Sequence, residues 1–149
     1  MNIETTPAKT YLLSRHTISF SELTAVGAPA VNAIFAELEK RQLQRAGSIE
    51  FIYHNFSQDK PFVLEVGIPV ADATETTDEK FAIVKRPEFR NINHIHNGGM
   101  SSMMAAYDML FAEIGAKAMP YNGEVREVYT IFSHPEAADN VTEIQIGLN

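Results

Sequence analysis

The stretch Leu110-Phe111-Ala112-Glu113-Ile114 closely matches Ile34-Phe35-Ala36-Glu37-Leu38 in the first half of the chain. Two further pairs of segments match in the same order and at nearly the same offset: residues 49–55 with 125–131, and residues 64–69 with 142–147. Matches at a nearly constant spacing are typical of two copies of one structural unit. The sequence therefore predicts an internal repeat of about 8–70 and 81–149. The alternative is a chance likeness between two α+β segments.

The first copy is predicted to fold as strand, helix, strand, strand. Residues 10–18, 49–55 and 62–70 are rich in the residue types that favour strands. After the first of these runs, four apolar residues follow helical spacing: Val31, Ile34, Phe35 and Leu38. We expect Pro29 to open this helix, because the first helical position needs no amide hydrogen. We expect Gly47 to lie just past its end.

The second copy shows the same order of elements. A strand over residues 89–96 is followed by the helix breaker Asn97-Gly98-Gly99. A helix is then indicated by seven apolar residues at helical spacing: Met100, Met103, Met104, Tyr107, Leu110, Phe111 and Ile114. Residues 120–123 are predicted as a loop before two closing strands over residues 127–132 and 141–148.

The segment between the copies, residues 71–80, is small, polar and acidic, which predicts an exposed connection. Residues 81–84 are expected to return to the sheet. The fold class predicted from this order is α+β, as a single domain over residues 1–149. Two pseudo-symmetric βαββ modules would form a largely antiparallel sheet with two main helices and a central ligand cleft.

The composition excludes several classes of protein. Of the 149 residues, 45% are hydrophobic and 21% are charged, which is typical of a globular domain. The chain has no cysteine, which excludes disulfides and thiolate metal sites. The net charge of −7 disfavours direct binding of nucleic acid. The first seven residues lack the features of a secretory signal, and no apolar run has the roughly 18–20 residues of a membrane span. We expect a cytoplasmic protein that contacts neither nucleic acid nor membrane.

Several motifs of the second half stand in an order typical of a known family. Asn97-Gly98-Gly99 leads into a helix with Ala106-Tyr107 and Leu110, Arg126-Glu127-Val128-Tyr129 follows, and Asn140-Val141-Thr142-Glu143-Ile144 closes the chain. Over about residues 10–148 the chain resembles the GyrI-like small-molecule-binding domain. Such domains also form the effector-binding halves of AraC-type and MerR-type transcription regulators. The resemblance implies two βαββ modules with a ligand cleft between them.

The resemblance also implies a role for Glu127, which would face a ligand and favour lipophilic cations such as drugs and dyes. The chain departs from the family pattern at two points: Met100 stands where many relatives have an aromatic residue, and there is no tryptophan. Both departures concern the shape of the pocket. No helix-turn-helix is recognised, so the resemblance implies a stand-alone member that would need a separate DNA-binding or protein partner in transcription regulation.

Strand alternation places Glu127 and Tyr129 on the same side of their strand. A buried lone carboxylate is costly unless something pairs with it, and a cationic ligand is one such partner. Two alternatives remain open from the sequence: Glu127 faces water, or it pairs permanently with a basic residue, namely Arg126, Arg90 or Lys85. When Tyr53 and Tyr129 are aligned, Phe51 takes the place of Glu127. This predicts a cleft with one charged and one aromatic wall.

Further candidates for the ligand site are Tyr53, Tyr107, Met100, Met103, Met104 and Glu143. The methionines are soft side chains that adapt to varied ligands, although an ordinary core role explains their helical spacing equally well. Tyr53, Tyr107 and Tyr129 are likewise open to a purely structural role. Glu65, which corresponds to Glu143 in the repeat, is predicted to face solvent, because its apolar neighbours alternate with it.

Motifs for other chemistry are weak or missing. His94 and His96 have a spacing found in zinc sites, but two ligands do not make a site, and we expect no metal. No phosphate-binding loop or nucleophile elbow occurs, so we expect no cofactor and name no catalytic residue.

The sequence therefore favours a binding protein for small lipophilic cationic aromatic molecules. One alternative is a hydrolase of reactive electrophilic compounds, in which Glu127 activates water with help from Tyr129 or Tyr53. A second alternative is an inhibitor that binds a topoisomerase.

Overall fold

A computed structural model describes residues 1–76 and 80–149. Within these residues two α-helices and nine β-strands follow one another. The strands are β1 (Asn2–Thr6), β2 (Lys9–Ile18), β3 (Gln44–Arg45), β4 (Glu50–His54), β5 (Phe62–Ala71), β6 (Ala82–Arg86), β7 (Phe89–Asn97), β8 (Tyr121–Ile131) and β9 (Val141–Leu148). The helices are α1 (Leu23–Lys40) and α2 (Met103–Ala116), each preceded by a 3-10 turn, Phe20–Glu22 and Met100–Ser102 respectively.

The strands form one antiparallel sheet in the order β1-β7-β9-β8-β4-β5-β2-β6, with β3 beside β5. β1 and β2 are six places apart in this order, yet only Pro7 and Ala8 join them along the chain. Six strand spacings in a flat sheet would span about 29 Å. The three peptide steps from Thr6 to Lys9 reach at most about 11 Å. The sheet must therefore curl into a half-barrel.

The two halves of the chain exchange their leading strands. β1 directly precedes β2 but pairs with β7, whereas β6 directly precedes β7 but pairs with β2. Pro7 and Pro87 occupy corresponding places in the two links, where proline ends a strand because it cannot donate to the ladder. Apart from the short β3, the order β2-α1-β4-β5 is matched by β7-α2-β8-β9. The predicted α+β class with a largely antiparallel sheet is confirmed.

Both helices cover the same face of the sheet. α1 contacts β2 and β5, and α2 contacts β7. The main core lies between the helices and this face, and it includes Leu12, Ile34, Leu64, Leu110 and Ile144, each with no exposed surface. We call this the helix-covered face. Strand alternation turns the intervening side chains to the other, concave face.

The predicted start of α1 is wrong. The helix begins at Leu23, after a 3-10 turn. A capping box between Ser19 and Glu22 stabilises this turn, in which the Ser19 amide donates to Glu22 Oε1 at 2.9 Å. The sequence signal for this start was the Ser-x-x-Glu pattern. Pro29 lies inside the helix.

Gly47 does not close α1. Gln42 takes the left-handed conformation after the helix, with φ of 54°, and Leu43 N donates to Leu38 O at 3.0 Å. α2 ends in the same way, with Ala118 at φ 49° and Met119 N bonded to Ile114 O at 2.9 Å. Both helices thus end on a residue that is not glycine, which is why the glycine signal failed.

The loop predicted at residues 120–123 is also wrong. β8 begins at Tyr121, and the register between β8 and β9 is irregular from Tyr121 to Val125. Gly123, at φ 90°, lies within this irregular stretch, so its conformational freedom serves the strand and not a loop. β8 ends at Ile131, one residue before the predicted end.

Two residues of the connection predicted over residues 71–80 pair with strands. Ala71 still belongs to β5, and Thr76 forms an isolated bridge with Ile83. Residues 77–79 lie outside the described residues. Within the described part of the chain, no helix combines the length and apolar character needed to cross a membrane.

Candidate functional site

Glu127 lies on the helix-covered face, in the middle of the sheet. On β8 it is directly opposite Phe51 of β4 and Ile144 of β9. Only 5% of the residue is exposed. The cross-strand pair Glu127 and Phe51 joins the two halves of the chain. The alignment on Tyr53 and Tyr129 makes these residues equivalent in the repeat but does not predict that they pair.

Three tyrosine hydroxyls surround the Glu127 carboxylate. Tyr53 of β4 donates to Oε1 at 3.1 Å, and Tyr129 of β8 donates to the same oxygen at 2.6 Å. Tyr107 of α2 donates to Oε2 through a short hydrogen bond. Because the three phenols come from three different elements, the carboxylate ties the helix to both strands.

The electrostatics of this cluster are those of a desolvated acid. Burial raises the pKa of Glu127, and the hydrogen bonds from Tyr107, Tyr129 and Tyr53 oppose that rise only in part. Burial and the nearby Glu127 charge raise the pKa of all three tyrosines well above the ordinary value. The phenols therefore stay protonated and act as donors.

No basic side chain of residues 1–76 and 80–149 forms an ion pair with Glu127. Arg126 points to the concave face and pairs with Glu124 at 2.6 Å. Arg90 donates to the backbone carbonyl of Asn149 at 2.9 Å. Permanent pairing of Glu127 with a basic residue and exposure of Glu127 to water, the two alternatives open from the sequence, are both contradicted.

An aromatic wall stands beside the carboxylate. Phe51 meets the Tyr129 ring edge-on, with centroids 5.1 Å apart. A Cβ atom at Gly27 of α1 would lie 3.2 Å from the Phe51 ring, so the missing side chain lets the helix pack directly on this phenylalanine. The helix-covered face therefore carries one acid inside an aromatic surround.

A rim of exposed phenylalanines, which the sequence analysis missed, borders this cluster. Phe56 contacts Tyr53 with centroids 5.9 Å apart, Phe20 contacts Phe56 at 5.7 Å, and Phe132 contacts Tyr129 at 5.9 Å. Phe20, Phe56 and Phe132 are each 40–49% exposed. All three lie in turns or just beyond strands. No periodicity assigns a face to Phe20 or Phe56, and the predicted strand over residues 127–132 placed Phe132 on the face opposite Tyr129, because β8 in fact ends at Ile131. Sequence alone offered no signal beyond their aromatic type.

The structure brings together five predicted site residues: Glu127, Tyr129, Phe51, Tyr53 and Tyr107. The methionines are dispersed around them. Met103 is buried in the core, Met100 packs against the core, and Met104 is 54% exposed.

Glu143 does not join the cluster. It is directly opposite Val128 of β8 and Ile95 of β7, so it lies on the concave face. Its carboxylate accepts a hydrogen bond from Gln145 Nε2. The physical reason is the register of β9: Ile144 is paired with Glu127, so the adjacent Glu143 points to the opposite face of the sheet.

The prediction that Glu65 faces solvent is wrong. Its side chain is fully buried on the concave face and accepts hydrogen bonds from Arg15, Arg86 and His54. Burial raises the pKa of Glu65, but the bonds from His54 and Arg86 outweigh burial and hold that pKa well below its ordinary value. Glu50 is also fully buried there and accepts from Tyr11 and Lys9. The curl of the sheet encloses a face that alternation alone would leave in water.

The histidine pair on β7 does not form a cluster with other metal ligands. In the described ranges no group of three or more His, Asp or Glu side chains is placed to hold a metal. His96 Nε2 lies 2.9 Å from Ser102 Oγ and 3.1 Å from Gly99 O, so it ties β7 to the turn before α2.

Solved structures share this fold. The C-terminal domain of EcmrR superposes with a TM-score of 0.80 at 20% identity, over 99% of this chain and 96% of that domain. In an EcmrR–DNA complex the TM-score is 0.81 at 20% identity, over 99% of this chain, which spans 56% of the EcmrR chain. SAV2435 bound to tetraphenylphosphonium gives 0.67 at 9% identity, over 100% and 94% of the two chains. A hydrolase from Listeria innocua gives 0.70 at 11% identity, over 99% and 91%.

No curated protein sequence matches the chain. The family model described as "GyrI-like small molecule binding domain" matches residues 1–149. The resemblance predicted from Asn97-Gly98-Gly99 and Arg126-Glu127-Val128-Tyr129 is thereby confirmed. The chain belongs to the GyrI-like family of small-molecule-binding domains.

Proposed function

We propose that this protein binds small lipophilic cations that carry flat aromatic groups, and that Glu127 is their counter-ion. The observation that carries the proposal is a buried carboxylate with three phenol donors and no basic partner among the described residues. Hydrogen bonds from the phenols reduce the free-energy cost of burying the carboxylate but do not neutralise its charge. A bound cation supplies the missing charge.

The surroundings of Glu127 suit an aromatic cation. Tyr129, Phe51 and Tyr53 form successive edge contacts on the helix-covered face. Aromatic faces attract cations by roughly 0.5–2 kcal/mol each, most strongly where water is excluded. The structure of SAV2435 with tetraphenylphosphonium, a lipophilic cation, gives this ligand class a precedent on the same fold.

Access to the carboxylate requires side chains to move. Glu127 is only 5% exposed, so a cation that reaches it must displace part of its cover. Tyr107 is the only one of the three phenols that comes from a helix, and the exposed Phe56 and Phe132 border Tyr53 and Tyr129 respectively. We propose that the ligand enters beside Tyr107 and takes over part of its contact with Oε2.

The test compares methyltriphenylphosphonium with neutral triphenylphosphine oxide by calorimetry and thermal unfolding, on wild type and Glu127→Gln. We expect the cation to stabilise wild type, by about 2.7 kcal/mol when its free concentration is 100 times Kd. Glu127→Gln should weaken the cation at least tenfold and leave the neutral compound within twofold. Glu113→Gln, which also removes one carboxylate but lies at the end of α2 beside Lys117, is the control. Equal loss for both compounds in Glu127→Gln would refute the charge argument.

A hydrolase is the second candidate, because the same geometry joins an acid of raised pKa to phenol donors. Glu127 would take a proton from water as the water oxygen attacks an electrophilic carbon, and a tyrosine would protonate the leaving atom. The Glu127 proton would then return to that tyrosine. Product formed from an electrophilic probe, and lost in Glu127→Gln, would favour this candidate; binding without turnover would favour the first.

A further inference from the structure

A hollow lies on the concave face, on the opposite side of the sheet from Glu127. It has a volume of about 310 Å³ and is bordered by β2, β5 and β6. This volume is at the lower end of the roughly 300–1,000 Å³ of small-molecule sites. Its lining combines apolar Leu13, Ala82 and Val84 with charged Arg15, Glu65, Lys80 and Arg86.

The charged part of the lining is positive. Arg86 binds Glu65 with both terminal nitrogens, at 3.0 Å to Oε1 and 2.7 Å to Oε2, which matches one guanidinium to one carboxylate. Arg15 Nη2 shares Oε2 at 3.0 Å, and no second acid of the described residues pairs with Arg15. One guanidinium charge is therefore in excess, on a chain whose net charge is −7.

Glu65 itself has no capacity left for a ligand cation. Its two oxygens accept four hydrogen bonds, the fourth from His54 Nε2 at 2.6 Å, and its side chain has no exposed surface. Arg15 is different, because 61% of its side chain is exposed and most of its five N–H donors have no partner among residues 1–76 and 80–149. The hollow thus offers a ligand the positively charged hydrogen-bond donors of Arg15.

The remainder of the lining is apolar. Leu13 belongs to a small hydrophobic cluster with Tyr11 and Ile52, and Ala82 and Val84 of β6 pack against that cluster. Ala82 and Val84 are only half-buried, so the apolar surface continues into the hollow. A guest in contact with both parts must be amphipathic.

We propose that this hollow is a second ligand site, specific for small organic anions in which a carboxylate or sulfonate is attached to a flat or aliphatic apolar group. The guanidinium of Arg15 binds the anionic group, with Arg86 held behind it by Glu65. Leu13, Ala82 and Val84 contact the apolar part. The site is independent of the cation site, because the sheet separates them and their charges are opposite.

The test uses 2-naphthoate and its neutral counterpart 2-naphthamide, followed by methyl and amide NMR on the intact protein. We expect naphthoate to shift the signals of Leu13, Ala82 and Val84 in a saturable way, with naphthamide at least tenfold weaker. Arg15→Gln should weaken naphthoate at least fivefold. Lys117→Gln removes the same charge from a side chain of similar exposure, 64%, that also pairs with one carboxylate, and it should leave the affinity within twofold.

A second variant keeps the proposal falsifiable if Arg15→Gln disturbs the sheet. Ala82→Phe fills the hollow from the edge strand and leaves every charge in place, and it should abolish the naphthoate shifts. The proposal is overturned if naphthamide binds as well as naphthoate, or if Lys117→Gln weakens binding as much as Arg15→Gln. It is equally overturned if the shifts cluster around Glu127 or do not occur.

Discussion

Arg126 and Glu127 are neighbours on β8, yet their charged groups lie on opposite faces of the sheet and form no ion pair. The Arg126 guanidinium lies 3.8 Å from the centroid of the Phe89 ring on the concave face and donates to Tyr11 and Glu124. Glu127 points to the helix-covered face, where three tyrosine hydroxyls are the side-chain hydrogen-bond donors that its carboxylate has among the described residues. Alternation along one strand thus separates an acid and a base that the sequence places side by side.

Because Arg126 does not neutralise Glu127, we expect the buried carboxylate to destabilise the ligand-free protein at neutral pH. Burial raises the pKa of Glu127 in the folded state, so folding favours the protonated carboxyl group. The stability that the protonated form confers is lost as the pH rises through the folded-state pKa. Glu127→Gln should therefore raise the free energy of unfolding at pH 7 by about 1 kcal/mol, or roughly 2–4 °C in Tm.

The pH dependence provides the check on that prediction. The advantage of Glu127→Gln should shrink as pH falls and vanish below the unfolded-state pKa of about 4.3, where both proteins carry a neutral group. Urea unfolding between pH 4 and 8 measures this. An advantage that does not vary with pH would show that packing, and not charge, separates the two proteins.

The hydroxyl of Tyr107 should stabilise the fold through Glu127. Tyr107→Phe removes a charge-assisted hydrogen bond, so we expect a loss of about 1.5–3 kcal/mol at pH 7. Tyr121→Phe is the control, because the Tyr121 hydroxyl is at a 38% exposed residue and makes no hydrogen bond in the described structure; its effect should stay below about 0.5 kcal/mol. Similar losses for the two variants would contradict the assignment.

The phenylalanine rim should contribute to cation affinity. Phe132→Ala removes an exposed ring in contact with Tyr129, and we expect methyltriphenylphosphonium to bind about 2- to 30-fold more weakly, the range of one cation–π contact. Phe35→Ala removes a ring on α1 that is 36% exposed, against 49% for Phe132, and that packs under Arg45 outside the cluster. Calorimetry on both variants decides whether the rim or general hydrophobicity matters.

The two arginines on Glu65 should differ sharply in their effect on stability. Arg86→Gln leaves a fully buried carboxylate without its bidentate partner and should cost about 3–5 kcal/mol. Arg15→Gln removes a mostly exposed partner and should cost less than about 1 kcal/mol.

Acid titration extends this comparison. The Glu65 pKa is held below its ordinary value, so the stability it confers is present above about pH 4.3 and is lost as pH falls through the folded pKa. Glu65→Gln should therefore unfold with a weaker dependence on pH in the acid range than wild type. An unchanged dependence would mean that the buried network does not control acid unfolding.

Much of the fold follows from patterns within single elements. The strands β5, β7 and β9 and the helix α2 were predicted to within a few residues, because a period of two or of 3.6 can be read locally. The same local rule placed Glu127 and Tyr129 together. The predictions made from residue preferences for helix ends and turns failed at Pro29, Gly47 and Gly123. These residues lie inside regular elements or away from the ends that they were expected to mark.

The sequence by itself determined which side chains share a face of each strand, and that an acid and a tyrosine would stand together on β8. Only the tertiary structure decided what surrounds them. Pairing across the sheet brought Phe51 and Tyr53 beside Glu127, packing of α2 added Tyr107, and the curl of the sheet buried Glu65 among Arg15, Arg86 and His54. Periodicity is a property of one segment, whereas strand order and curvature arise from contacts between segments far apart in the chain, which no local pattern encodes.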